Sequence, residues 1–167
     1  MPAPRKPFRL NVGFIVHEEV GFTRDFLFEE DIVEIDDLAL FNVTGRADVS
    51  RTPQGLLLQA EFRGETSLEC VRCLKTFDQP LVWTLTELYA FDKRSVTDSG
   101  LILPETAQID LSPLIREYAL LEIPISPICK PDCKGLCPIC GENLNDRDCG
   151  HRIERNDSPF AALKDLL

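Results

Sequence analysis

No apolar run in this 167-residue sequence approaches the roughly 18 residues that a membrane-spanning helix requires, so we expect no such span. Met1 to Phe14 mix prolines with Arg5, Lys6 and Arg9 and hold no sustained apolar core, which argues against a secretion signal and predicts a soluble protein. Basic residues are outnumbered, 18 Lys and Arg against 28 Asp and Glu, for a formal net charge of −10. A chain that grips nucleic acid chiefly through phosphates needs a basic face to displace counterions, so broad nonspecific RNA binding is disfavoured, although a local basic patch is compatible with the composition. There are two histidines, and neither stands in an H-E-x-x-H or comparable histidine-carboxylate pattern. Nothing therefore marks a catalytic zinc with an open coordination position and a nearby general base. No pair of carboxylates stands out by spacing as an acid-base couple, and no repeat at a solenoid period is present.

What is present reads as a folded chain. Apolar residues make up 44% and charged residues 28%, ordinary for a globular protein, and the length suits one fold with a small metal-bound appendage. Phe8, Leu10, Val12, Phe14 and Val16 share one parity, and Phe22, Phe26 and Phe28 repeat the pattern after Glu18-Glu19-Val20-Gly21, predicting a hairpin over 8–16 and 22–28. Phe41, Val43, Ala47 and Val49 alternate with polar residues before a turn at Thr52-Pro53-Gln54-Gly55. Leu56, Leu58, Ala60, Phe62 and Leu68 set the inner face of a long strand ending at Cys70, and Leu81, Trp83, Leu85, Tyr89 and Phe91 that of a strand from about 77 to 91. Behind Asp110 or Ser112 with Pro113, the residues Leu111, Leu114, Ile115, Tyr118 and Leu121 recur at helical spacing. The expected architecture is α+β: an antiparallel meander of about five strands covered by one helix over 1–124. A cysteine-rich zinc-binding segment and a short C-terminal helix behind Ser158-Pro159 follow over 125–167, packed into the same domain.

The seven cysteines are odd in number and tightly clustered, unlike a secreted disulfide framework, so reduced thiols in a cytoplasmic protein fit better. Cys70-Val-Arg-Cys73 and Cys137-Pro-Ile-Cys140-Gly141 have metal-ligand spacing: a tight turn aims both thiolates at one ion, and Pro138 and Gly141 favour that turn. With Cys129, Cys133, Cys149 and His151 they supply eight candidate ligands, enough for two tetrahedral sites, so one or two Zn2+ ions are expected. One partition joins Cys70 and Cys73 to Cys129 and Cys133, leaving Cys137, Cys140, Cys149 and His151; another puts both C-x-x-C pairs on one ion. The first is preferred, because it ties the strand end to the chain leaving the helix. His17, beside Glu18 and Glu19, reads as solvated. A thioredoxin-like role for Cys70 and Cys73 wants a helix after the first cysteine, whereas a turn and a strand follow.

Between Glu18 and Asp37 stand nine acidic residues and a single Arg, Arg24. Most simply this is a solvated face; functionally it is a docking surface for a basic partner, with Glu29, Glu30, Asp31 and Glu34 at its centre. The competing local basic patch is Arg72, Lys75, Lys130 and Lys134.

Four ordered blocks carry a family likeness: Leu68-Glu-Cys70-Val-Arg-Cys73-Leu, Leu121-Glu-Ile-Pro124, Cys133-Lys-Gly-Leu-Cys137-Pro-Ile-Cys140-Gly-Glu-Asn-Leu-Asn145, and Ser158-Pro-Phe-Ala-Ala-Leu163. On these blocks the chain resembles the YceD-like proteins, described as large ribosomal RNA subunit accumulation proteins, and the resemblance extends over about residues 40 to 167. The resemblance implies a non-enzymatic factor needed for normal levels of that RNA. Its implied partner is a large-subunit ribosomal precursor, met through a basic ribosomal protein, ribosomal RNA or both, with no membrane and no small-molecule substrate. Some relatives lack part of the cysteine set, so the resemblance implies a folding role for metal. The other classes are a zinc-dependent or thiol-redox enzyme and a metal-responsive interaction module.

Overall fold

The computed structural model describes residues 7–152, and the helix expected behind Ser158-Pro159 lies outside them. The described residues fall into two compact units, one of 7–68 with 77–127 and one of 69–76 with 128–152. In chain order the elements are β1 (Arg9–Asn11), α1 (Gly13–Val16), β2 (Thr23–Ile35), β3 (Leu38–Arg51), β4 (Gly55–Glu69), β5 (Thr76–Ala90), β6 (Gln108–Asp110) and α2 (Ser112–Glu122). β2-β3-β4-β5 form a four-stranded meander, and β1 pairs antiparallel with β6 in a separate two-stranded sheet. The fold is thus mostly antiparallel sheet with few helices, as the alternation of apolar residues predicts. No helix among the described residues is long and apolar enough to cross a membrane.

The expected hairpin over 8–16 and 22–28 does not form. Asn11 closes β1 by accepting the Gly13 N–H on its side-chain oxygen at 3.1 Å, and one helical turn follows. The period-two pattern therefore holds only through Val12: Ile15 is buried, while Phe14 is 47% exposed. β2 in turn runs past Phe28 to Ile35, paired with β3 down to Ile35 opposite Leu38, and Asp36 takes the tight turn at φ +52°. The acidic stretch beyond Phe28 is part of the strand, because Val33 and Ile35 bury against β3's end of the core.

In β3 the inner face changes parity. Leu38 and Leu40 are buried before Asn42, which sits at φ +52°, and Val43, Ala47 and Val49 are buried after it. The register against β4 shifts between Phe41 and Thr44, so a bulge inserts the extra residue that moves the alternation. Phe41, expected inside, is only half-buried, and Leu40 takes its place.

Burial along β4 and β5 follows the expected inner faces through Leu56, Leu58, Ala60, Phe62, Leu81, Trp83, Leu85 and Tyr89. At α2, Asp110 accepts the Ser112 N–H at 3.0 Å, Pro113 lies in the first turn, and Leu114, Ile115 and Ala119 join the same apolar core. Leu121, on the expected stripe in the last turn, is instead 75% exposed. Tyr118 donates its hydroxyl to Glu87 at 2.8 Å, and Arg116 pairs with Asp37 at 2.6 Å. That pairing holds the Asp37 carboxyl below its ordinary value.

Phe8, Phe28, Phe62 and Trp83 form the aromatic centre, with ring centroids 5.4 to 6.1 Å apart. Gly45 lies opposite both Phe28 and Phe62, and a Cβ there would fall within the Phe62 ring. We expect Phe62→Ala to cost about 3–5 kcal/mol and Gly45→Ala about 1–3 kcal/mol, read from urea midpoints. A Gly45→Ala midpoint equal to the parent's would show that Phe62 moves aside freely.

Candidate metal centre

The cysteine-rich unit is built from tight turns. Cys70 and Lys75 close the first, with the Cys70 N–H on the Lys75 carbonyl at 2.9 Å and the Leu74 N–H returning to the Cys70 carbonyl at 2.9 Å. The second repeats the plan: the Cys137 N–H reaches the Glu142 carbonyl at 2.8 Å, and the Gly141 N–H returns to the Cys137 carbonyl at 2.8 Å. The residue after each pair is left-handed, Leu74 at φ +57° and Gly141 at φ +75°. Glycine suits that place and leucine is strained in it.

Two further devices place the remaining donors. Gly135, at φ +76°, lets the chain after Cys133 lie against the first turn: the Leu136 N–H bonds to the Arg72 carbonyl at 3.1 Å, and Arg72 donates to the Cys133 carbonyl at 3.0 Å. Asp148 accepts the Gly150 N–H at 2.9 Å and pairs with Arg152, which sets the turn between Cys149 and His151. These contacts lower the Asp148 pKa.

All eight candidate ligands are brought together in two groups. Cys70, Cys73, Cys129 and Cys133 form one and Cys137, Cys140, Cys149 and His151 the other, with donor atoms inside each group within 4.8 Å of one another. The alternative that puts both C-x-x-C pairs on one ion is not found. In the first group Cys70 and Cys133 sulfurs are 3.8 Å apart and those of Cys73 and Cys129 3.7 Å; in the second Cys137 Sγ lies 3.8 Å from His151 Nδ1. A tetrahedron with metal–sulfur bonds of about 2.3 Å has edges about 1.63 times longer, near 3.8 Å, so the spacing suits a tetrahedral ion. It is far too long for a disulfide, and all seven thiols are free. The donor sets, all-thiolate and thiolate with imidazole, fit a borderline-soft divalent metal. In exposure the groups differ: Cys70, Cys73 and Cys133 are buried, whereas Cys140 and His151 are exposed.

The backbone prepares some sulfurs for charge and not others. Burial alone would raise Cys70, but the N–H groups of Cys129, Cys73 and Arg72 outweigh it and bring the thiol from 9.0 to about 6. Those of Cys140 and Ile139 do the same for Cys137, also to about 6. Burial and the neighbouring Cys73, Cys133 and Cys70 thiols push Cys129 up to about 12. Cys133 is lowered against its burial by the Asn145 side chain and the Gly135 N–H. Asn145 carries no ligand signature in the sequence; only its place after the second turn, in Asn143-Leu-Asn145, hints at a role. His17 is exposed and belongs to neither group.

A thiol lowered by folding contributes stability that is whole above its unfolded value near 9.0 and fades as pH falls through its folded value near 6. Protons compete with metal for the thiolates, so a loaded protein is expected to keep its metal at neutral pH and to lose it progressively as pH falls into the acid range. A chromogenic chelator titrated against pH checks this; release beginning above pH 8 contradicts it.

The family model described as large ribosomal RNA subunit accumulation protein YceD matches residues 58–167. An uncharacterised protein of Mycobacterium tuberculosis is 35% identical over 143 residues, covering 82% of this chain and 67% of its own. Protein YlbN of Bacillus subtilis is 28% identical over 159 residues, 86% of this chain and 89% of its own. The chloroplastic large ribosomal RNA subunit accumulation protein YCED homolog 1 of Arabidopsis thaliana is 44% identical over 63 residues, 38% of this chain and 20% of its own. No solved structure matches. With the family model covering most of the chain, both C-x-x-C turns included, the chain belongs to the YceD family.

Proposed function

We propose that this chain is a non-enzymatic cytoplasmic factor that supports the accumulation of large-subunit ribosomal RNA and is folded around two structural zinc ions. The observation that carries the non-catalytic reading is the donor count: each group offers four protein ligands, which fill a tetrahedral shell and leave no position for water or substrate. Zinc, once bound, neutralises and cross-links the thiolates; the turns around Cys70–Lys75 and Cys137–Glu142 do the aiming. The role in RNA accumulation is supported by the description of the family and by the names of the plant relatives from Arabidopsis thaliana and Zea mays.

The direct partner is a basic protein of the assembling large subunit. β2 is an edge strand of its sheet, with Glu29, Asp31 and Glu34 exposed and Glu30 half-buried. Repulsion of phosphate and attraction of Lys- and Arg-rich segments follow from the same field. The rival basic patch is partly engaged by its own unit: Arg72 donates to the Cys133 carbonyl, and Lys75 pairs with Asp146 at 3.3 Å.

Replacing Glu29, Glu30, Asp31 and Glu34 together by Gln or Ser is expected to reduce co-sedimentation with precursor large-subunit particles while leaving metal content and folding intact. The difference from the parent should shrink as salt rises, the Debye length falling from about 10 Å at 0.1 M to about 3 Å at 1 M. If the acidic variant sediments like the parent and a variant lacking the charges of Arg72, Lys75, Lys130 and Lys134 does not, direct RNA contact replaces the protein-partner reading.

A further inference from the structure

The two ligand groups hang on one short hairpin. Its arms are joined by the Leu144 N–H on the Gly135 carbonyl at 2.9 Å, by a bridge between Leu136 and Asn143, and by the Cys137 N–H on the Glu142 carbonyl at 2.8 Å. At the tip, Cys137 and Cys140 belong to the second group; at the base, Cys133 belongs to the first. Asn145 sits across from Cys133, on the arm that runs between the second-group ligands Cys140 and Cys149, and its amide Nδ2 lies 3.4 Å from the Cys133 sulfur.

That carboxamide is held from several directions. Its Oδ1 accepts the Lys134 N–H at 2.9 Å, Nδ2 also donates to Asn143 Oδ1 at 2.9 Å, and the Asn145 backbone N–H reaches the same Asn143 oxygen at 3.0 Å. The orientation that gives Cys133 a donor is the one these partners require, since Oδ1 is taken by an N–H and Nδ2 faces an acceptor. A hydrogen bond from a neighbouring group to a metal-bound thiolate withdraws charge from the sulfur and fixes its direction, and loss of such a partner commonly costs ten- to a hundredfold in metal affinity.

We propose that Asn145 is the positioning residue that couples the two metal centres: held in register by the second centre, it supplies a hydrogen bond to the Cys133 thiolate of the first. Opening the second centre frees the arm that carries Asn145, so the first loses a donor. The second centre opens first because Cys140 and His151 are exposed, whereas three of the first centre's four sulfurs are buried. Because coupling of binding free energies is reciprocal, a filled first centre also steadies the second.

The inference rests on both groups holding zinc, and the test separates the two. Zinc release from the full-length protein to 4-(2-pyridylazo)resorcinol is followed by absorbance, with total zinc per chain measured beforehand. The parent is expected to carry two ions and release them in a fast and a slow phase; Cys140→Ser should abolish the fast phase and leave the slow one at the parent's rate, because the second centre is already empty when the parent's slow phase begins. Asn145→Asp keeps the acceptor for the Lys134 N–H but turns an oxygen toward Cys133; because the coupling is reciprocal, it should accelerate the fast phase, about tenfold or more. It should also shift the thiolate-to-metal charge-transfer band of the cobalt-substituted protein. Asn145→Ala serves if the aspartate variant does not fold, with acceleration in the same direction. Cys140→Ser alone should shift the same cobalt band, and in the Asn145→Ala background it should shift it little further.

A parent with two ions whose fast phase and cobalt spectrum are unmoved by either Asn145 variant overturns the coupling and leaves the zinc reading standing. A parent with fewer than two ions overturns both. Loss of the slow phase in Cys140→Ser overturns the order of opening.

Discussion

Crowding of ligand atoms is the constraint on which the cysteine-rich unit depends. Seven sulfurs and one imidazole fall into two groups whose donors lie within 4.8 Å of one another. Four thiolates so close repel one another strongly, and the first group shows the conflict without a cation: Cys70 is drawn down to about 6 while Cys129 is pushed up to about 12. A divalent ion at the centre removes that conflict, because each sulfur then faces a positive charge. The local features of the unit serve the aiming of donors more than the burial of apolar surface: left-handed Leu74 and Gly141, the close approach at Gly135, and the Asp148 turn.

The sheet unit is organised by a different force. Its core is apolar and aromatic, with Phe62 stacked on Trp83 and Gly45 giving the Phe62 ring room, and none of the cysteines belongs to that cluster. The β3 bulge at Asn42 lets one long strand present Leu40 on one parity and Val43 on the other. β2 gains from its acids in two ways. Charges on an edge strand discourage pairing with another chain's edge, and the same charges would supply the field that the proposed basic partner meets.

In the proposed reading, the four donors of each group close a tetrahedral shell. Membership of the YceD family links this acidic chain to a family described by large-subunit ribosomal RNA accumulation. An acidic surface suits such a role when contact runs through protein, since ribosomal proteins bring the positive charge that this chain has little of.

The local patterns were legible in the sequence wherever one physical period governed them. Alternation in Leu56–Phe62 and Leu81–Tyr89 specified inner faces, because a strand with one buried face admits a single parity. The C-x-x-C spacing specified ligand turns, because the return hydrogen bond runs to the first cysteine's carbonyl from the residue just after the second cysteine, four positions on. Where a single non-periodic residue intervened, pattern failed: Asn11 ended β1 and turned Phe14 outward, and Asn42 exchanged Phe41 for Leu40. Only the tertiary structure decided which cysteines share a centre and that Asn145 reaches Cys133. Those relations join residues as far apart as Cys70 and Cys133, whose meeting depends on how the chain returns through space and leaves no period for a sequence to display.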